Sequence, residues 1–250
     1  EYLRNDAAQT RVHDVTTSEA SLTLRYAPGE SFVNSKQRRI PVSLDAPIFT
    51  LTHAMGFKGV LGGEYNFNRT EASIWKRFWL PASWGKIDCS VKAGAEWNTV
   101  PFPLLILPEA NLSYITQRET FCLINNMEFL NDRFASMSIS YDMNGKLFNR
   151  IPLLKNLKWR EMFRVRALWG TLTDKNNPFK QGNQSDLFEF PSRNGQPTSF
   201  VMGDTPYMEL NVGIHNIFKI LRVDYVRRLN YLNAPNAKKN GVRFVLQFDF

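Results

Sequence analysis

Apolar and polar residues alternate along many segments of this chain. The last segment, GVRFVLQFDF at 241–250, shows the pattern at its clearest. It places Val242, Phe244, Leu246, Phe248 and Phe250 on one side, and Gly241, Arg243, Val245, Gln247 and Asp249 on the other. Because successive side chains of a strand point to opposite faces, the segment is predicted to be a β-strand with one apolar and one mostly polar face.

The same alternation recurs in longer segments upstream. They are KIDCSVKAGAEW, RFASMSISYDMNG, KWREMFRVRALWGTL, YMELNVGI and ILRVDYVRRLNYL. Strands of about 9 to 13 residues exceed the five or six residues of an average globular strand. Length and alternation together are typical of strands that cross a bilayer at a tilt. In a membrane barrel the charged positions of these strands face the lumen: Arg160, Arg164, Arg166, Glu209, Arg222, Asp224 and Arg228.

A soluble β-sandwich is the alternative, since its strands also alternate. Aromatic residues at or near the predicted strand ends favour a barrel, whose aromatic girdles lie at the two membrane interfaces. These residues are Trp97, Trp159, Trp169, Tyr225, Tyr231 and Phe250. The arginine-rich polar face also favours a barrel over a sandwich. We therefore predict an all-β fold, a transmembrane antiparallel β-barrel, over residues 1–250.

The pattern predicts about eleven strands. They lie near 9–16, 20–27, 48–57, 59–68, 72–81, 86–98, 132–144, 157–171, 206–217, 219–231 and 240–250. Short turns of bacterial barrels face the periplasm and long loops face outside, so the last strand is expected to end with a periplasmic C-terminus. Such barrels have an even number of strands. We therefore expect upstream strands to be missing, or the count to be wrong by one.

Composition excludes several classes of function. The longest apolar stretch, VPFPLLILP, is half of the roughly 20 residues that a spanning helix needs. The net charge of +8 is spread along the chain, without the basic helix or paired Cys and His of a nucleic-acid reader. The three histidines are far apart, so no metal or cofactor is expected. Cys89 is predicted on the lipid face and Cys122 in a long loop, so the two should stay unbridged.

The closing strands resemble a known superfamily. The run YMELNVGIHNIFKILRVDYVRRLNY followed by GVRFVLQFDF is similar to the last strands of the outer-membrane insertase superfamily. Upstream, SEASLTLRYAPGE, MEFLNDRF, FNRIPLLKNLKWR and GTLTDKNN resemble the barrel region of a Bacteroidetes outer-membrane family of unknown function. Members of that family carry an upstream domain that resembles the carboxypeptidase regulatory domain.

The resemblance implies a barrel of about sixteen strands, of which this chain holds the last eleven and lacks an N-terminal periplasmic domain. It implies that Val242, Phe244, Leu246, Phe248 and Phe250 form the C-terminal signal read by the barrel-assembly machinery. It also makes 99–131 the counterpart of the insertases' luminal sixth loop. That loop here has no Arg-Gly pair, and Arg118 is the candidate for its buried arginine.

Three functions are weighed. The first is a non-enzymatic outer-membrane protein that acts in outer-membrane biogenesis or as a subunit of an envelope complex. It would contact outer-membrane lipid, lipopolysaccharide and other outer-membrane or periplasmic proteins. The second is a channel or transporter for anionic solutes, motivated by the arginines; luminal salt bridges to Glu209, Asp224 and Asp249 are the competing explanation. The third, a hydrolase, is disfavoured because His53 has no evident polar partner, so no catalytic residue is expected.

Overall fold

The structure is a computed structural model that describes residues 2–4, 10–34, 36, 38–111, 113, 115, 120–180, 187–193, 195–234 and 236–246. The described residues form an all-β fold with very little helix. The strands are β1 (Tyr2–Leu3), β2 (Arg11–Val12), β3 (Glu19–Tyr26), β4 (Phe32–Asn34), β5 (Arg39–Pro41), β6 (Ile48–Gly56), β7 (Phe67–Trp79), β8 (Lys86–Glu96), β9 (Arg133–Asp142), β10 (Arg160–Thr171), β11 (Ser192–Arg193), β12 (Gln196–Pro197), β13 (Tyr207–Ile217), β14 (Leu221–Arg228) and β15 (Asn240–Leu246). Helix α1 is Pro152–Leu157, and short 3₁₀ turns cover Phe102–Leu104, Phe148–Arg150 and Asp174–Asn176.

Nine of these strands form one large antiparallel sheet. Its order is β15-β14-β13-β10-β9-β8-β7-β6-β3, so every strand pairs with its neighbours along the chain. Across the described ranges the edge strands β3 and β15 do not pair with each other. Instead, Ile115 forms a bridge to Phe244 of β15. The short strands pair as β1–β2, β4–β5 and β11–β12. Among the described residues, no helix is long enough and apolar enough to cross a membrane.

The predicted count of eleven strands was wrong for this sheet. The segments predicted at 59–68 and 72–81 contribute a single strand, β7, which begins at Phe67. Residues 57–66 form turns, with Gly59 and Gly62 at positive φ. The link predicted at 69–71 is absent, because these residues belong to β7 and pair in register with β6. The segment near 9–16 supplies only β2, which pairs with β1 outside the large sheet.

The two faces of the sheet differ in an unusual way. The face that carries Phe163, Val212 and Tyr225, here called the apolar face, is exposed; these three side chains are 37%, 41% and 46% accessible. The opposite face, called the polar face, carries Arg166, Glu209 and other charged residues that are almost fully buried. A water-soluble sheet normally buries its apolar face and exposes its polar one. Here that relationship is inverted.

The polar face is buried because a long connection lies against it. Residues 99–131, called the docked loop, link β8 to β9. Phe121, Ile124 and Phe129 of the docked loop form a core with Leu168 of β10 and Tyr207 of β13. A second core joins loop residues to the segment near Phe188 and to Phe67. The molecule's apolar core therefore lies between the docked loop and the sheet rather than within the sheet alone.

One aromatic residue predicted for the outer girdle belongs to this core. Tyr231 was predicted on the apolar face at a strand end. The strand ends at Arg228, and Tyr231 takes a left-handed φ of 54°. Its ring packs edge-on against Phe129 at 5.3 Å, and its hydroxyl donates to the carbonyl of Thr205 at 2.5 Å. Trp97 and Trp169, in contrast, are exposed at strand ends.

Candidate functional site

The charged residues singled out from the sequence meet on the polar face. Cross-strand register places Arg166 opposite Glu209, and Glu209 opposite Arg228. Glu209, Arg228 and Arg166 are each no more than 1% exposed. Arg160 pairs with His215 in register and is only partly buried. Burying charges is unfavourable unless each is paired or hydrogen-bonded, so the partners of these groups decide what the site can do.

Glu209 anchors the docked loop through main-chain amides. Its two carboxylate oxygens accept hydrogen bonds from the amides of Cys122 at 2.9 Å and Leu123 at 2.7 Å. The hydroxyl of Tyr207 donates to the same carboxylate at 2.7 Å. Glu209 had been considered a salt-bridge partner for the arginines. Its hydrogen bonds instead resemble an anion nest in which successive amides hold a carboxylate.

Arg228 makes the main ion pair between sheet and loop. Its Nη2 lies 2.6 Å from Oε1 of Glu128, and both side chains are at most 1% exposed. Oε2 of Glu128 also accepts from the amide of Asn125 at 2.9 Å. The ring of Tyr207 lies 4.8 Å from the guanidinium carbon of Arg228, which adds a cation–π contact.

Two further arginines bind main-chain carbonyls of the docked loop. Arg166 donates to the carbonyl of Thr120 and also lies 3.7 Å from Sγ of Cys122. Arg243 of β15 donates to the carbonyl of Cys122 at 2.6 Å. Residues 120–123 are therefore held through their carbonyls by the two arginines and through their amides by Glu209. The docked loop is thus bound by the sheet through specific polar contacts and not only by apolar packing.

A cavity of about 550 Å³ lies beside this interface. Its walls are the polar-face side chains of β7 to β10 and β13 to β14, closed on one side by Ile106–Glu109 of the docked loop. At the end of the cavity formed by β7 and β8, the basic side chains are paired with carboxylates. Lys92 contacts both Glu71 and Glu109, and Arg77 pairs with Asp88 at 2.6 Å.

The other end of the cavity carries an excess of positive charge. Arg164 is 8% exposed, and its closest acceptor is the weak thioether sulfur of Met162 at 3.8 Å. Nη1 of Arg164 has no hydrogen-bond partner among the described residues. Arg222 pairs with Asp224 at 2.9 Å, as expected for a luminal salt bridge. The Nε of Arg222, however, has no hydrogen-bond acceptor among the described residues. Asp224 packs closely over Gly213, where a Cβ would lie 2.3 Å from its Oδ1.

Some predicted positions lie outside the described residues or have different surroundings. Arg118, Phe248, Asp249 and Phe250 fall outside the described ranges. Val242, Phe244 and Leu246 lie on the exposed apolar face of β15. His53 does have a polar partner, contrary to expectation: its Nδ1 is 2.9 Å from Oγ1 of Thr70. Neither cysteine forms a disulfide, as predicted, and Cys122 is buried.

Two important residues, Arg243 and Glu128, could not be identified as site residues from the sequence, for different reasons. Arg243 alternates with the apolar residues of the terminal strand, so the pattern predicts that it lies on the polar face. The pattern does not predict its partner, the carbonyl of Cys122 in the docked loop. Glu128 lies in a segment without any periodic pattern. Only the fold brings it to Arg228, which is 100 residues away in the chain.

Comparison with known proteins gives a family but no described activity. No curated protein matches the chain. Residues 2–179 match the C-terminal domain of a family of unknown function, DUF5686. This range ends after β10, so it contains the docked loop, Glu128 and Arg166, whereas Glu209 and Arg228 lie beyond it. The chain therefore belongs to the DUF5686 family.

Proposed function

We propose that this chain is the membrane-spanning barrel region of a bacterial outer-membrane protein, and that its role is non-enzymatic, in outer-membrane biogenesis or as a subunit of an envelope complex. The observation that carries the proposal is the inverted sheet, with its apolar face exposed and its charged face buried. Strands in lipid carry apolar residues outward and polar residues inward. The relationship to insertases and to Bacteroidetes proteins is part of this proposal and stays a prediction.

Energetics favour lipid over water around the apolar face. Each exposed Leu, Val or Phe side chain that leaves water contributes about 1.5 to 3 kcal/mol. Strands β6 to β15 expose such residues next to one another on the same face, among them Leu51, Ile74, Val91, Ile139, Phe163, Val212 and Val242. Soluble monomers rarely expose contiguous apolar areas of that extent. In a membrane, the two edge strands must also be satisfied, which a closed barrel achieves.

The docked loop favours a barrel whose lumen is blocked over one that conducts solutes. An anion channel, the alternative function, would use the polar-face arginines to line an aqueous path. Arg166, Arg228 and Arg243 are instead bonded to the docked loop. Such a loop suits a protein that binds partners or alters the membrane around it rather than one that passes solutes.

Reconstitution and depletion together test this function. Purified protein inserted into planar bilayers is expected to conduct poorly, and depletion in cells is expected to perturb outer-membrane assembly. Co-purification from detergent-solubilised outer membranes should recover outer-membrane or periplasmic partners. Strong anion-selective conductance with a normal envelope after depletion would instead establish the channel.

The terminal strand is expected to direct assembly and to leave the C-terminus in the periplasm. Deleting Phe250 removes little apolar area but is expected to lower the outer-membrane yield several-fold, if the barrel-assembly machinery reads this residue. The matched control is Phe250→Tyr, which keeps the ring and should keep the yield. Yield is measured by heat-modifiable gel mobility of membrane fractions. Full yield of the deletion variant would contradict the signal assignment.

A further inference from the structure

The basic end of the cavity has the features of a ligand site. Arg164 is more than nine-tenths buried and lines the cavity, yet none of the described residues accepts a hydrogen bond from its Nη1. The neighbouring charges that act on it most strongly are Arg166 and Arg222, with Asp224 as the opposing carboxylate. Asp224 is already bonded to Arg222. A buried guanidinium in such a position is costly unless an anion joins it.

Hydroxyl groups lie next to these arginines. On β9 the register places Ser140 opposite Arg164 and Ser138 opposite Arg166. Directly paired residues on one face of a sheet have Cβ atoms about 4.5 to 5.5 Å apart. Both serines line the cavity, as do Ser136 and Ser90. The basic end therefore continues into a stripe of hydroxyls that can donate to or accept from a polar ligand.

From this arrangement we propose that the cavity binds a phosphomonoester, with Arg164 and Arg222 holding the phosphoryl oxygens and the serine stripe holding hydroxyls of the group attached to it. The free donors, Nη1 of Arg164 and Nε of Arg222, come from two different strands. An anion with three terminal oxygens can accept from both, and the planar fork of arginine suits phosphate. The cavity volume of about 550 Å³ accommodates a sugar-sized ligand.

The site goes beyond the proposed function, because it requires only the cavity and not membrane insertion. A phosphomonoester can be a soluble sugar phosphate or the headgroup of a lipid. The hydroxyl stripe and the cover provided by Ile106–Glu109 favour the soluble form. At the opposite end, Lys92 already contacts the two carboxylates of Glu71 and Glu109, so no anionic ligand is expected there.

Calorimetric titration of the full chain in non-ionic detergent tests the site. The probes are inorganic phosphate, glucose 6-phosphate, glucose and dihexanoyl phosphatidic acid. Phosphate and glucose 6-phosphate should each saturate one site, with glucose 6-phosphate bound more tightly and glucose not bound. Phosphatidic acid bound more tightly than glucose 6-phosphate would overturn the soluble source and leave the phosphomonoester site standing. No saturable binding of phosphate by the unmodified chain would overturn the site itself.

Substitutions locate the binding. Arg164→Gln should weaken both phosphate probes about tenfold or more, as expected for loss of a charge-assisted hydrogen bond. The matched control is Arg227→Gln on the exposed side of β14, which should bind as the unmodified chain does. Equal binding by Arg164→Gln and Arg227→Gln would overturn the assignment. Should Arg164→Gln fail to fold, Ser140→Ala serves instead: it should weaken glucose 6-phosphate more than phosphate, and equal effects on both would contradict the role of the serine stripe.

Discussion

The two ends of the sheet follow the same alternation but treat the polar face differently. On β14 every second residue is buried, and the buried set is Arg222, Asp224, Val226 and Arg228. On β3 all residues are exposed on both faces, including Arg25, which pairs locally with Glu30 at 2.7 Å. The docked loop accounts for the difference: its described residues bond to Arg166, Glu209, Arg228 and Arg243 on β10 to β15, and none of these residues bonds to β3. Alternation therefore determines which way a side chain points, and tertiary packing determines whether it is buried.

The largest expected effect comes from breaking an ion pair at the buried end. Glu128→Ala leaves the guanidinium of Arg228 uncompensated, and removing one partner of a buried pair typically costs about 3 to 5 kcal/mol. The pair beside β3 is the matched control: the Arg25 side chain is 47% exposed, so water screens the pair, and Glu30→Ala should cost no more than about 1 kcal/mol. Denaturant unfolding in detergent measures both changes.

The same variant also tests whether the docked loop comes away from the sheet. Cys122 belongs to the docked loop and is only 1% exposed where the loop meets the sheet. In a Cys89→Ser background it should therefore resist maleimide labelling. Glu128→Ala should raise the labelling rate of Cys122 by about 100-fold or more, since 1.4 kcal/mol corresponds to tenfold. Unchanged labelling together with unchanged stability would mean that the pair does not hold the loop.

The next effect concerns the apolar face, which both ends of the sheet share. Val212→Arg, at the centre of β13, should cost about 2 to 4 kcal/mol if this face contacts lipid. In water the same exposed substitution should stay within about 0.5 kcal/mol. Leu24→Arg on β3 extends the test to the other end of the sheet, and Leu61→Arg in an exposed turn is the control expected to be silent. Unfolding from lipid vesicles gives the values, and a silent Val212→Arg would contradict the membrane proposal.

Sequence pattern alone was sufficient for the strand faces but not for the loop contacts. A period of two is a local property, so it correctly grouped Arg164 with Arg166 and Arg222 with Asp224. It could not show that Glu209 binds amides of residues 122 and 123, because no local signal links positions 86 residues apart. The error at β7 came from the polar link predicted at 69–71, which resembles a turn although it lies near the start of a long strand. Whether the sheet closes into a barrel also depends on contacts that periodicity does not encode.

The smallest expected effect separates two tyrosines on opposite faces. Tyr207 is fully buried on the polar face, and its hydroxyl donates to Glu209 at 2.7 Å, so Tyr207→Phe removes one hydrogen bond to a charged acceptor. Such bonds contribute about 1.5 to 3 kcal/mol, and Glu209 keeps its two amide donors, which places the expected loss at the lower end of that range. Tyr225→Phe is the matched control. The hydroxyl of Tyr225 contacts Asn240 at 3.0 Å on the exposed face, and its removal should leave the free energy of unfolding nearly unchanged. Unfolding curves measured side by side give the two values, and equal losses would show that Glu209 does not depend on Tyr207 to hold the docked loop.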